Sequence, residues 1–437
     1  MRRRSLFGYQ LLVTVGANVG LGAIAILTGI LASRLLGPTG RGELAAIQLW
    51  AGFLAILAMA GLPEAVVYFS AKKPEDVTEY LASALALGLA LSMVFVGFGY
   101  LFIPYVLQSQ SNEVILAARS YLLFIPVTVA LTIGYQALRG SGHFRLWNLL
   151  RFLPSLIWLS VLTISWISSH ATPVFLAYGN LLGLALLLPI VALVLHRTLG
   201  GWGRPSRKLW SPLVRFGLPT VLAAVPSLLN LRLDQLIIAA ILPSTSLGHY
   251  AVAVTWSTIL TPITTAVGLV IFPRVASVDG RAQQIDLLSR VSRLSLATSA
   301  ALALPLALVT SFMLPFLFGA DFAPSILPAI VLVGASVIAS LNGILEDGTR
   351  GMGYPKLSLQ AELIGLIATG LALYLMLPVF EILGAAFASV LGYASVTAVL
   401  LFRLWKLTEV SPAGYLVLNL QDVSLVVSSI RAVQKSR

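Results

Sequence analysis

The chain has 437 residues, of which 58% are hydrophobic and only 10% charged, with a mean hydropathy of +0.94. A soluble domain is about a quarter charged, so this composition excludes a soluble enzyme held by a single anchor. The formal net charge is +12, and the absence of cysteine excludes disulfides and thiolate metal sites.

Mostly apolar runs recur from end to end, each long enough to cross about 30 Å of hydrocarbon as a helix. In chain order they predict spans at 10–34, 44–70, 79–105, 114–138, 146–168 and 173–195, then 213–241, 247–272, 289–317, 323–345, 358–378 and 382–403. The opening "MRRRS" could begin a signal peptide. The apolar run behind it is too long for an h-region, and the next span follows almost at once, so the first is an uncleaved membrane helix. The expected protein is an all-α polytopic membrane protein with twelve transmembrane helices in two six-helix lobes. Its expected organisation is an N-terminal lobe over 1–196, a cytoplasmic linker over 197–212, a C-terminal lobe over 213–406 and a cytoplasmic or interfacial tail over 407–437.

Lysine and arginine set the orientation. All but four of the 28 fall on the side of the N-terminus when alternate loops are assigned to alternate sides. The four are Arg34 and Arg41 on the opposite side, and Arg119 and Arg232 inside spans. A miscounted helix would scramble this alternation, so it supports twelve spans and cytoplasmic termini. The positive charge meets anionic headgroups. Without a basic stretch interleaved with aromatics, it does not indicate a nucleic-acid partner.

No Walker A sequence and no extramembrane stretch sized for a nucleotide-binding domain occur, so an enzyme or a bound cofactor is not expected. His143, His170, His196 and His249 are scattered without metal-ligand spacing, and no metal is expected.

The chain repeats itself. "GELAAIQLW" (Gly42 to Trp50) aligns with "GHYAVAVTW" (Gly248 to Trp256), and "RGSGHFRL" (Arg139 to Leu146) with "RGMGYPKL" (Arg350 to Leu357), at offsets of 206 and 211 residues. Six helices per repeat give both halves the same orientation, a parallel internal repeat. Two-lobed transporters built this way place the substrate path between lobes that rock.

Charged residues inside the spans are the candidates for function. The seventh span carries "LNLRLDQLII", with Arg232 seventeen residues beyond Arg215, roughly 25 Å along a helix axis. On a regular helix Asn230 and Asp234 share a face, and Arg232 lies about 200° away. Glu64 sits in the second span just after Pro63, and Arg119 lies inside the outer end of the fourth, within reach of the interface by snorkelling. Glu362, at the cytoplasmic start of the eleventh span, reads as an interfacial charge.

These stretches resemble a family. "ASRLLGPTGRGELAA" (Ala32 to Ala46), "RLDQLIIAAILPSTSLGHYAVA" (Arg232 to Ala253) and "VIFPRVAS" (Val270 to Ser277) are similar in order and spacing to polysaccharide and oligosaccharide flippases. So are "LFGADFAPSILPAIVL" (Leu317 to Leu332) and "GMGYPKLSLQAELIG" (Gly351 to Gly365). These flippases belong to the multidrug/oligosaccharidyl-lipid/polysaccharide exporter superfamily. The resemblance implies movement of a polyprenyl-pyrophosphate-linked oligosaccharide across a bacterial or archaeal cytoplasmic membrane by alternating access, for cell-surface polysaccharide assembly.

It also implies substrate contacts at Arg232, Asp234 and Arg34; Asn230, Arg119 and Glu64 join them as expected substrate-binding residues because of their places inside the spans. Arginine suits a pyrophosphate because its planar fork donates two parallel hydrogen bonds. Asp234 and Glu64 are the candidates for a coupling ion, sodium or proton. The expected partners are the lipid-linked oligosaccharide, the bilayer and polysaccharide polymerase or assembly proteins. Alternatives are a multidrug antiporter for organic cations, a peptidoglycan-precursor flippase, and a scaffold whose buried charges serve stability alone. The amphipathic, basic "QDVSLVVSSIRAVQKSR" (Gln421 to Arg437) reads as an interfacial helix.

Overall fold

The computed structural model describes residues 2–260, 280–419 and Asp422, with side chains described for 16–259, 280–419 and 422. The described residues are overwhelmingly helical and contain no strand. The helices are α1 (Arg2–Met59), α2 (Leu62–Lys72), α3 (Val77–Val106), α4 (Asn112–Tyr121), α5 (Phe124–Gly140), α6 (Phe144–Ser168) and α7 (Pro173–Leu199). There follow α8 (Arg207–Asn230), α9 (Leu233–Ile241), α10 (Ser244–Ser257), α11 (Arg281–Phe318), α12 (Ile326–Gly351), α13 (Pro355–Thr408) and the short α14 (Ala413–Leu416).

Nine stretches of the described residues are long and apolar enough to cross a membrane. Gly16–Lys72 contains the first and second expected spans, and Pro355–Thr408 the eleventh and twelfth. The nine therefore account for eleven of the expected spans. The eighth begins in α10 and runs into 261–279, outside the described residues, as do "VIFPRVAS" and all of the C-terminal stretch except Asp422.

Joined spans turn where the backbone leaves the helical region. In α1 the turn is at Gly37, with φ +64°, followed by Pro38; a positive φ suits glycine, and proline cannot continue the helix. In α13 it falls at Glu381 (φ +48°). The second repeat pair forms the same turn twice. Gly142 and Gly353 have φ of +84° and +87°. The next amide donates five residues back in each, His143 to Leu138 O and Tyr354 to Thr349 O, both 2.8 Å. This is the six-to-one closure of a helix ended by a left-handed glycine.

Three expected spans are broken helices rather than continuous ones. The second breaks at Ala60–Gly61, between α1 and α2, and the fourth at Leu122–Leu123, between α4 and α5. The seventh breaks at Leu231–Arg232, between α8 and α9. In α8, Pro212, Pro219 and Pro226 each remove a backbone donor.

The chain divides into two compact units. The first runs to Leu228 and takes in Gln235–Val252 and Pro315–Pro324; the second comprises Leu229–Asp234, Ala253–Leu314 and the chain from Ser325. In the first, Tyr68 stacks on Phe216 at 4.4 Å and Phe69 on Tyr80 at 5.3 Å. The α1–α2 break rests on α8: a methyl on Gly61 or on Gly217 would collide with the other's backbone. In the second, Leu288, Leu341, Leu345, Val396, Leu400 and Tyr415 form a core. Arg293 closes it, gripping the buried Asp422 carboxylate with two hydrogen bonds, 2.6 and 3.0 Å. That grip holds the Asp422 carboxyl below the usual carboxylate range.

Candidate functional site

The polar centre of the second unit lies where α8 ends. Asn230 is the last residue of α8, Leu231 and Arg232 form a turn closed by Arg232 N–H to Leu229 O (2.9 Å), and α9 begins at Leu233. Asn230 and Asp234 are buried, at 3% and 4% exposure, and Arg232 is exposed. The expected partition of the three side chains is present. Its cause is a helix break and not a regular helix wheel, which corrects the geometry.

Two arms of α13 and the end of α12 supply the partners. Asn230 Nδ2 donates to Glu362 Oε2 at 2.6 Å and to Glu362 O at 3.1 Å, while Asn230 Oδ1 accepts from Thr369 Oγ1 at 3.2 Å. Ser389 Oγ donates to Asp234 Oδ2 at 3.0 Å. The Glu362 carboxyl also meets that of Glu346, which Arg350 approaches at 3.4 Å. Tyr393 lies within electrostatic reach of Asp234, Glu362 and Arg232.

Sequence reasoning placed Glu362 at the interface; it is instead 8% exposed and holds Asn230. The reason is the inner stripe of α13. Ser358, Glu362, Gly365, Thr369 and Ala372 recur at helical spacing and are all buried. Small residues let the arms approach, Gly392 lying against Thr369 and Gly365 against Asn230 Nδ2. That stripe was readable in the sequence. Glu346, Ser389 and Tyr393 carried no comparable pattern.

Arg232 forms no ion pair among the described residues. It is a cation exposed at a break in a membrane-length segment, where an unpaired arginine costs on the order of 2.5–3.5 kcal/mol.

The remaining candidates lie in the first unit and are not brought together. Arg34 donates Nε to Leu317 O at 2.6 Å and Nη2 to Phe316 O, capping the end of α11. Arg119 donates Nε to Tyr100 O at 2.9 Å and lies over the Tyr100 ring at 4.3 Å. Glu64 is exposed in the first turn of α2. A cavity of about 260 Å³ in this unit is lined by Thr28, Phe124, Ser155, Trp158 and Asn180 among others. It is below the roughly 300–1,000 Å³ of a small-molecule pocket, and so too small for an oligosaccharide. Among the described residues no three His, Cys, Asp or Glu are grouped to hold a metal ion.

A family described as polysaccharide biosynthesis protein matches residues 9–278. The chain belongs to that family. A relative from Haloferax volcanii, the probable low-salt glycan biosynthesis flippase Agl15, is 24% identical over 195 residues, 44% of this chain and 41% of that protein. The match thus spans under half the length of that relative. Two solved structures share the fold of this family member. An inward-facing multidrug resistance MATE family transporter of the MOP superfamily is 17% identical, with a TM-score of 0.71 over 92% of this chain and 99% of the other. The lipid II flippase MurJ, in an inward closed conformation, is 13% identical, with a TM-score of 0.73 over 90% and 87%. The protein is a multi-pass membrane protein with a transporter fold.

Proposed function

We propose that the protein is a flippase that carries a polyprenyl-pyrophosphate-linked oligosaccharide from the inner to the outer leaflet of a cytoplasmic membrane, with both termini cytoplasmic and no catalytic step of its own. The observation that carries this reading is Arg232, an exposed cation without an ion-pair partner among the described residues, at a helix break in a membrane-length segment. A membrane helix retains such a charge where it meets an anion or water. A pyrophosphate offers the paired oxygens that a guanidinium binds best. Family membership and the glycan flippase relative support the same cargo.

The buried side of the same break supplies coupling. Asp234 is held by Ser389, and Glu362 meets both Asn230 and Glu346. A sodium ion or proton taken up among these carboxyls would neutralise charge beside the break that presents Arg232. Asp234 is the stronger coupling candidate than the exposed Glu64. In this reading the N-terminal lobe (1–196) and C-terminal lobe (213–406) alternate access while the prenyl tail stays in lipid, and assembly proteins receive the product outside.

The test is a flipping assay in proteoliposomes with a lipid-linked oligosaccharide, scored by an external sugar-modifying reagent. Transport by the parent and its loss in folded Arg232→Ala is the expected result. Export of organic cations with no glycolipid movement would replace this reading with an antiporter.

A further inference from the structure

The first repeat pair meets itself in the folded protein. Pro38, Thr39 and Gly42 on one side and Ser244, Thr245 and Gly248 on the other are counterparts at the same offset of 206 residues, and all six belong to the first unit. The Thr39 and Thr245 hydroxyls are hydrogen-bonded at 2.8 Å. A methyl on Gly42 would overlap Ser244 O and lie 2.8 Å from Gly248 N; one on Gly248 would overlap Pro38 O and lie 3.0 Å from Gly42 N. Each glycine thus lies on the carbonyl four residues before its counterpart. The contact is reciprocal, as an internal two-fold axis requires.

Two further contacts flank it. Gln110 Nε2 donates to Ala239 O (2.9 Å) and Leu242 O (3.1 Å) at the end of α9, and its Oε1 accepts from Ser244 Oγ at 2.6 Å. Arg34 caps Phe316 and Leu317. All these residues lie near the outer ends of their spans by the charge rule. No carboxylate takes part. Its centre is backbone against backbone, which glycine permits and any side chain prevents, with neutral hydrogen bonds of Thr39, Gln110 and Ser244 around it.

We propose that the Gly42–Gly248 contact, with the Thr39–Thr245 hydrogen bond, is the outer latch of the transport cycle. Closed, it seals the outer side; parted, it admits release of cargo outward. The inference rests on the alternating-access reading. It adds that the seal lies on the repeat axis itself, so one small separation opens both halves equally. A methyl at either glycine keeps the two backbones apart and favours the open state.

The absence of native cysteine makes the test direct. Thr39→Cys/Thr245→Cys, oxidised in proteoliposomes, closes the latch covalently. Flipping of a lipid-linked oligosaccharide is expected to fall at least tenfold on oxidation of the double variant and to return with reductant, whereas oxidation leaves the rate of each single variant where it stood before oxidant. Separately, spin labels at Gln108 and Ser246, each two residues from the Gln110–Ser244 hydrogen bond that flanks the contact, are expected to show two distances, the longer enriched at least fivefold by Gly42→Ala. Gly248→Ala serves equally if the first variant folds poorly. A cross-linked protein that flips at the parent rate, a pair that does not cross-link, or a single distance unmoved by either glycine variant would overturn the latch. If the distances shift as expected but the parent moves no glycolipid, the latch stands and the flippase reading falls.

Discussion

Of the three broken spans, the second and the seventh turn in unlike ways. At Ala60–Gly61 the chain turns with φ of +47° and +71° and sets its backbone on that of Gly217. At Leu231–Arg232 the turn lies between two buried polar groups and carries an exposed cation. Both breaks give up helical hydrogen bonds that a membrane segment can ill spare. The first is offset by close packing against Gly217, and the second lies beside a polar network. One break is architecture, the other chemistry, and substitutions separate them.

The largest effect belongs to the first. Gly61→Val places a branched side chain into a backbone carbonyl at a positive φ, and we expect a loss of about 3 kcal/mol or more, read as collapse of folded yield in detergent. A well-folded Gly61→Val would break the contrast. Next comes Arg232→Ala, which removes a charge-assisted contact worth roughly 1.5–3 kcal/mol. Transport should drop about tenfold to a hundredfold while the melting temperature holds, and Arg232→Lys should recover part of the rate without the guanidinium fork. If the rate holds and the melting temperature collapses, the second break is architecture too.

Asp234→Asn keeps the side chain's size and the Ser389 hydrogen bond but removes the charge. It should raise the half-saturating concentration of the coupling cation about tenfold or abolish its effect, with glycolipid binding unchanged in a pull-down. The smallest effect is expected for Glu64→Gln, whose carboxylate is exposed at the start of α2. Transport within about twofold of the parent sharpens the contrast, surface-exposed changes being mostly mild. A null transporter would move the coupling site to the first break.

The architecture was largely legible in the sequence because a membrane segment announces itself by composition alone, and eleven of the twelve expected spans have matching helices. The repeat was legible too, down to the paired turns at Gly142 and Gly353. The breaks were not. Apolar periodicity is the same on both sides of a two-residue turn, so Leu231 and Arg232 look like one more helical step. That Asn230 and Asp234 share a face was read from their spacing, but their partners lie more than 130 residues away on α13; the buried stripe holding Glu362 can be read locally, and no local pattern selects Ser389. Arg34 and Arg119 show the converse: an arginine at a span's end that sequence offers as a candidate can cap a helix or lie over a tyrosine ring once folded.

The Arg293–Asp422 grip has a consequence in time. The two residues are separated by 129 positions. At 5–20 residues per second of synthesis, the arginine therefore waits roughly 6–26 s for its carboxylate. Throughout that wait the base of the second unit holds an unanswered charge, and the core around Tyr415 cannot close. A chain cut shortly before Asp422 would hold α11, α12 and α13 with their keystone missing.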